Sequence, residues 1–222
     1  MIKVIDRGLA PYDEVLKEQQ YIFDSLVAHQ KSGEEITDET IIIVEHPHVF
    51  TMGVHAHSAN MLVNDVWLQN NGIHCVKIKR GGDITYHGPG QIVVYPIISL
   101  QKHRLGVKQY VTLLEQAVID TLAEWGIIAD RVDGATGVWV MAENGENRKI
   151  CAIGIRCSRF ITMHGLALNV NTDLTYFSYI NPCGFTKKNI STSLEDLLRH
   201  KVDISTVKSR LIANLLRLLD SF

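Results

Sequence analysis

The apolar positions of this chain follow two periods, and the switches between them outline its elements. Residues 2–6 alternate as a short strand, and from Pro11 the spacing becomes that of a helix. Tyr12, Val15, Leu16, Gln19, Ile22, Phe23, Leu26 and Val27 form its stripe. Pro11 stands at its start, Asp13 and Glu14 in its first turn, Lys31 near its end and Gly33 just beyond. Residues 33–40 are polar and read as a loop. Ile41-Ile42-Ile43-Val44 is a continuous β-branched run, as a buried central strand carries. A short helix is expected over residues 60–70, closing at Asn71-Gly72. Residues 74–79 alternate as a strand. Residues 92–98 form another buried strand, in which Pro96 marks an edge, a bulge or the strand's end. A second long helix is predicted from Val107 to Trp125, with Gly126 ending it. Strands then dominate, over 127–132, 137–142, 149–156 and 160–170, and Asn144-Gly145 turns a hairpin within 137–156. Two helices follow, near 193–199 and 206–220. The pattern predicts one α/β domain of α+β type over residues 1–222, with a mixed central sheet flanked by helices and the C-terminal helices as a candidate subdomain.

Composition narrows the function classes. Of 222 residues, 46% are hydrophobic and 21% charged, ordinary for a soluble globular chain. A formal charge of −2 without any basic run gives no support for a nucleic-acid or membrane partner. The N-terminal residues lack a signal-peptide core and no stretch reaches membrane-span length, so a cytoplasmic location is expected. The four cysteines, Cys75, Cys151, Cys157 and Cys183, include no C-x-x-C pair and read as reduced thiols.

Two stretches between the elements concentrate polar chemistry. Arg80-Gly81-Gly82-Asp83-Ile84-Thr85-Tyr86-His87-Gly88-Pro89-Gly90-Gln91 packs four glycines beside an arginine and a histidine, between two strand-like runs. Glycine serves positive φ or close approach to the main chain, so this is either the floor of a pocket or a tight hairpin with incidental polar residues. Upstream, His46, His48, His55 and His57 form two H-x-H pairs, a pattern that suits zinc. No matching cysteine or carboxylate cluster joins them. A polar pocket rim, without a metal, is the expectation.

Among the cysteines, Cys75, Cys151 and Cys157 lie in or beside alternating strands and read as small buried hydrophobes. Cys183 differs, because Asn181-Pro182-Cys183-Gly184 presents its thiol on a turn, as a nucleophile or as a plain turn residue. A thiol nucleophile needs a base to become thiolate, and His87, His164 and Lys149 are candidates. In Lys149-Ile150-Cys151-Ala152-Ile153-Gly154-Ile155, strand alternation sets Lys149 on one face with Cys151, Ile153 and Ile155. An inward lysine loses pKa by desolvation and can act as a base, whereas a strand-end lysine reaches back to solvent. The shared face also makes Cys151 a rival nucleophile, although a mid-strand thiol is harder for a bulky substrate to reach.

These blocks resemble the lipoyl(octanoyl) transferases, relatives of the biotin and lipoate protein ligases. The likeness rests on the twelve residues from Arg80 to Gln91. It continues in Glu45-His46-Pro47, Lys149-Ile150-Cys151-Ala152-Ile153-Gly154, His164-Gly165-Leu166-Ala167-Leu168-Asn169 and Asn181-Pro182-Cys183-Gly184, in family order. The resemblance implies a biotin/lipoate protein ligase-like fold. It implies transfer of an octanoyl group from octanoyl-acyl carrier protein, through a cysteine thioester, to a lysine of lipoyl domains of 2-oxoacid dehydrogenase complexes or of the glycine-cleavage H protein. By position, Cys183 matches the nucleophile and Lys149 the residue that lowers its pKa. The substrate-contacting positions become Arg80, Gly81, Gly82, Asp83, Ile84, Thr85, Tyr86, His87, Ala152, Ile153, Gly154, Gly165, Leu166 and Ala167. No cofactor and no metal is implied, and a monomer is expected. Cys151 departs from the pattern, standing where a plain small residue belongs.

That activity suits the residues. Exchange of thioesters is nearly balanced and aminolysis runs downhill, so no ATP is required. Backbone N–H groups near the glycines are candidate oxyanion donors. Each buried CH₂ of an acyl tail contributes about 0.8 kcal/mol, and Ala152, Gly154, Gly165 and Ala167 are small enough to leave it room. An ATP-dependent lipoate–protein ligase, which needs no cysteine, and a non-catalytic acyl-carrier binding module are the alternatives.

Overall fold

The computed structural model describes residues 2–142, 144–181 and 191–221. In chain order its elements are β1 (Lys3–Leu9), α1 (Tyr12–Ser32), β2 (Thr40–Glu45), β3 (Val49–Met52), α2 (Asp65–Asn70), β4 (His74–Lys77), β5 (Ile84–His87), β6 (Gln91–Ile97), α3 (Val107–Ala123), β7 (Asp130–Val132), β8 (Ala135–Met141), β9 (Asn147–Ser158), β10 (Ile161–Asn169), α4 (Leu194–Leu198) and α5 (Ile204–Leu219). Short 3₁₀ turns occupy Ser58–Asn60 and Leu174–Tyr179. None of the described helices is long and apolar enough to cross a membrane.

The β-branched runs build a seven-stranded mixed sheet in the order β1-β2-β6-β10-β9-β8-β7. β1 and β2 are parallel, and the other neighbours are antiparallel. Alternation sorts the side chains between two cores. Ile41, Ile43, Ile92, Val94, Leu166 and Leu168 pack with α3 and α5, while Ile42, Val44, Val93, Tyr95, Ile97 and Met163 pack with α1. The stripe of α5 buries Val207, Leu211, Leu215 and Leu219 in the same cluster as α3. Burying each such leucine contributes about 1.5–3 kcal/mol. A smaller sheet, β4-β3-β5, carries a third core of Phe50, Met52, Ile84 and Tyr86, closed by α2 and the 3₁₀ turn at Leu174–Tyr179.

Several expectations need correction. The helix over 60–70 shrinks to Asp65–Asn70, because the Asn64 side chain accepts the Trp67 N–H and fixes the start there. Two strands sit where loop was expected: Val49–Met52, between the histidine pairs, and Ile84–His87, inside the glycine-rich stretch. The first strand runs on to Leu9, the strand over 127–132 contracts to Asp130–Val132, and α3 stops at Ala123. Pro96 is not on an edge, since β6 lies between β2 and β10. It is the penultimate residue of its strand, and a side chain on Gly165 would meet its ring carbon Cδ at 2.8 Å, so the missing side chain makes room for the ring.

Candidate functional site

The α1-facing side of the large sheet is not fully covered by α1, and a cavity of about 340 Å³ occupies the remainder. Its floor is made where β9 and β10 carry the smallest side chains. Ala152 pairs with Ala167 and Gly154 with Gly165, while the intervening Ile153, Leu166 and Leu168 point to the opposite core. Val93 and Tyr95 of β6 continue the floor, and Tyr12 of α1 closes one side. The wall above is the start of the glycine-rich stretch, which contributes Arg80, Gly82, Asp83, Ile84, Thr85 and His87.

Backbone contacts hold that wall in place. The N–H groups of Gly53, Val54 and His55 donate to the carbonyls of Asp83, Arg80 and Gly82, strapping the turn to the small sheet. On its other side the Gly81 N–H donates to the Ile155 carbonyl of β9 at 2.8 Å. Gly154 permits this approach, because a Cβ there would stand 2.8 Å from the Gly81 carbonyl oxygen. Among the described residues, the β8 ladder on that side of β9 ends at Cys151, so the turn takes up where β8 leaves off. The buried Arg80 donates from Nη2 to the Thr51 carbonyl and hydroxyl at 2.8 and 2.9 Å, and from Nη1 to the Gly81 carbonyl at 3.0 Å. Asp83 accepts from Asn60 Nδ2 at 2.6 Å and from the Ile84 N–H at 2.7 Å.

Lys149 enters the cavity by a device that alternation does not show. Val138 pairs with Cys151 but Trp139 pairs with Lys149, so Ile150 is an extra residue in β9. Such a bulge re-aims side chains. Cys151 shares the face of Val138 and lies in the α3/α5 core, whereas Lys149 shares the face of Trp139 and lines the cavity. Its Nζ sits 4.6 Å from the Trp139 ring centroid and donates to the Thr136 carbonyl at 3.0 Å. The expectation of a shared face for Lys149 and Cys151 is therefore wrong. Cys151 is fully buried, and desolvation pushes its thiol up to about 12, which keeps it protonated and counts against it as a nucleophile.

The other candidates divide clearly. His87 and His164 line the cavity, and burial pushes both imidazoles down to about 3, so each is neutral near pH 7 and a weak base. His87 Nδ1 donates to Gln91 Oε1 at 2.8 Å, while Gln91 Nε2 donates to Asn169 Oδ1 at 2.8 Å. His164 has a left-handed backbone with φ 61°, and its Nδ1 is buried without a hydrogen-bond partner. Ala152, Gly154, Gly165 and Ala167 face the cavity, and Ile153 and Leu166 also border it although their side chains pack in the opposite core. Gly81 and Tyr86 do not: Gly81 ties the turn to β9, and Tyr86 points to the third core, where its hydroxyl bonds His48 Nδ1 at 2.7 Å. The histidine pairs form no rim. His46 donates to the Ala10 carbonyl at 2.8 Å and its Nε2 accepts from Tyr95 at 2.9 Å, beneath the cavity. His48 stacks on Tyr176 at 4.4 Å. Among the described residues, no three His, Cys, Asp or Glu side chains come together as metal ligands would.

Cys183 lies outside the described residues. The chain on either side of it does bound the site: Phe177 and Ser191 line the cavity, and Ser191 bridges to Lys149, where the Thr192 N–H donates to the Lys149 carbonyl at 3.0 Å. Sequence reasoning missed Tyr12, Val93, Tyr95, Gly134, Ala135, Thr136 and Asn169 as lining residues. Tyr12 was read only as part of the helix stripe and Asn169 only as the end of a family block, and the others gave no signal.

Comparison with known proteins gives the family and the fold. The model of the lipoyl protein ligase A/B catalytic domain matches residues 11–216. A Bacteroides fragilis protein named octanoyltransferase is 52% identical over 211 residues, covering 95% of each chain, and one from Flavobacterium johnsoniae is 43% identical over 99% of this chain and 97% of its own. In fold, the chain is similar to a bipartite lipoate protein ligase of Thermoplasma acidophilum (TM-score 0.72, 16% identity, 99% of this chain and 84% of that one). It is also similar to the biotin protein ligase of Aquifex aeolicus in complex with biotin and ATP (TM-score 0.54, 12% identity, 99% and 71%). A family match that spans nearly the whole chain, with identity above half to a relative of the same length, shows that this protein belongs to the lipoyl protein ligase A/B catalytic domain family.

Proposed function

We propose that this chain moves an octanoyl group from an acyl-carrier thioester to the side-chain amine of a lysine on a lipoyl domain, with Cys183 as nucleophile and Lys149 as its base. The observation that carries the reading is the narrow cavity floored by Ala152, Gly154, Gly165 and Ala167, with Lys149 turned into it by the bulge at Ile150. About 340 Å³ lies at the small end of the range for ligand pockets, as a single acyl chain requires. Lys149 takes the proton of the Cys183 thiol, and the thiolate attacks the carbonyl carbon of the donor thioester. The donor C–S bond breaks, and the departing pantetheine thiolate recovers the proton from the Lys149 ammonium. The acceptor amine then attacks the Cys183 thioester, the new C–S bond breaks as the amide forms, and the proton lost by the amine returns to the Cys183–Lys149 pair. Arg80, Gly82, Asp83, Ile84, Thr85 and His87 wall the acyl chain, and Gly81 and Tyr86 support that wall from behind.

The test is intact mass before and after exposure to octanoyl-acyl carrier protein without ATP. The expected result is a covalent octanoyl adduct that hydroxylamine removes and that a lipoyl domain discharges. No adduct, with octanoylation appearing only when free octanoate and ATP are supplied, would make the protein a ligase instead.

A further inference from the structure

We infer that Glu115, on the opposite side of the large sheet from the cavity, is a positioning residue for Lys149, acting through the single peptide group that joins Thr136 to Gly137. The inference rests on the reading of Lys149 as the base of the transfer. The two ends of that peptide group meet opposite charges. The Thr136 carbonyl accepts from Lys149 Nζ at 3.0 Å, and the Gly137 N–H donates to Glu115 Oε1 at 3.0 Å. Arg131 Nε donates to the second carboxylate oxygen, Oε2, at 3.0 Å, and its Nη2 holds the Thr112 carbonyl and Gln116 Oε1 at 3.0 and 2.9 Å.

An ordinary strand peptide directs its N–H and C=O toward neighbouring strands, in the plane of the sheet. This one instead serves α3 with its N–H and a cavity-facing lysine with its C=O. The turn is made at Gly137, whose φ is 122° and where a Cβ would come 2.5 Å from the Cys151 carbonyl oxygen. Only glycine adopts that backbone readily. The register irregularities of both β7 against β8 and β8 against β9 fall beside it. The Glu115 carboxylate already has a cation beside it, in the Arg131 ion pair at 3.0 Å, and it makes a second link as well. It is joined to the lysine by a polarised amide, and hydrogen bonds linked in this way strengthen one another. The carboxylate draws the N–H, the carbonyl oxygen becomes more negative, and the ammonium form of Lys149 is favoured. That is the form which pairs with a thiolate. The Trp139 ring, 4.6 Å from Nζ, favours the same form from a second direction.

The test measures the titration of Lys149 directly, by pH-dependent labelling with acetic anhydride read from the Lys149 peptide in the mass spectrometer. Glu115→Gln keeps the shape and both polar atoms but removes the charge, and its folding is checked by thermal melting. The expected result is a Lys149 midpoint lowered by roughly half a pH unit, with the octanoyl-adduct rate at pH 7 reduced roughly threefold. Arg131→Met disturbs the same packing but leaves the carboxylate, so its Lys149 midpoint stays or rises. A merely structural role would move both variants in the same direction. A folded Glu115→Gln protein with an unchanged midpoint, or equal falls in both variants, overturns the inference. Lys149→Ala separates this from the underlying reading: an undiminished adduct rate there removes Lys149 as base, whatever the Glu115 variant does.

Discussion

The two faces of β9 and β10 are written by neighbouring residues of the same strands, yet one is filled and the other is hollow. Toward α3 and α5 they present Cys151, Ile153, Leu166 and Leu168, all in the apolar core. Toward α1 they present Ala152, Gly154, Gly165 and Ala167, and there the chain keeps a cavity. The missing volume does not come from a break in the sheet, because the ladder runs unbroken from Ile161 paired with Ser158 to Leu168 paired with Cys151. A site is made here by leaving side chains out while the pairing of β9 with β10 stays in register. The register shift of β9 against β8, at Ile150, decides which face receives the lysine.

The largest expected effect sets the proposed nucleophile against the thiol of the packed face. Cys183→Ala should lower octanoyl-adduct formation by at least about a thousandfold, whereas Cys151→Ala should leave its rate near that of the unaltered protein. Intact mass reads both, and the reverse result would put the nucleophile on the packed face. Next comes Leu168→Ala on the filled face. The side chain is completely buried, so denaturant unfolding should show a loss of about 2–5 kcal/mol with acyl-chain preference unchanged. The converse substitution, Ala152→Leu, fills the hollow face. Excluding two or three methylenes at about 0.8 kcal/mol each costs about 2 kcal/mol, so competition between butanoyl and octanoyl donors should swing roughly thirtyfold toward the shorter chain. An unchanged preference would mean that the acyl chain lies elsewhere.

The last comparison concerns the histidines around and beneath the hollow. Burial pushes His46 down to about 4, and His87 and His164 to about 3, from an unfolded value near 6.5. In the window from about pH 6.5 down to those values, the unfolded chain carries protons on these rings that the folded chain refuses. Stability therefore falls as pH falls through that window, by about 1.4 kcal/mol per pH unit for each histidine. The falling slope should begin near pH 6.5 in thermal melts and lessen in His46→Gln. A melting temperature flat between pH 7 and 5 would contradict the buried neutral rings.

The order and type of the larger elements were legible because burial on one face leaves a period in the sequence. Ile41-Ile42-Ile43-Val44 and the stripes of α1, α3 and α5 lie where their spacing predicts them. Shorter pieces escaped. Ile84–His87 hides among glycines, and Val49–Met52 is only four residues long between polar stretches, so neither is long enough to set a period. The small residues of the floor were legible as room, since Ala152, Gly154, Gly165 and Ala167 alternate in register. The placement of Lys149 was not. An extra residue in a strand leaves no mark on composition and appears only when the partner strand is known, so counting by twos from Cys151 put the lysine on the wrong face. Tyr12 was read correctly as a helix-stripe residue, but nothing in a stripe says that its end borders a cavity.

The hydrogen bond from Gly81 to the Ile155 carbonyl bears on solubility as well as on the site. Where β8 stops, β9 would offer the unpaired edge of a strand, and such edges recruit strands from other molecules. The turn that begins at Arg80 covers part of that edge with its own backbone. Changes that loosen this turn should therefore expose a sticky margin as well as open the cavity. In such variants, clumping at high concentration would belong to the same lesion as the lost acyl transfer.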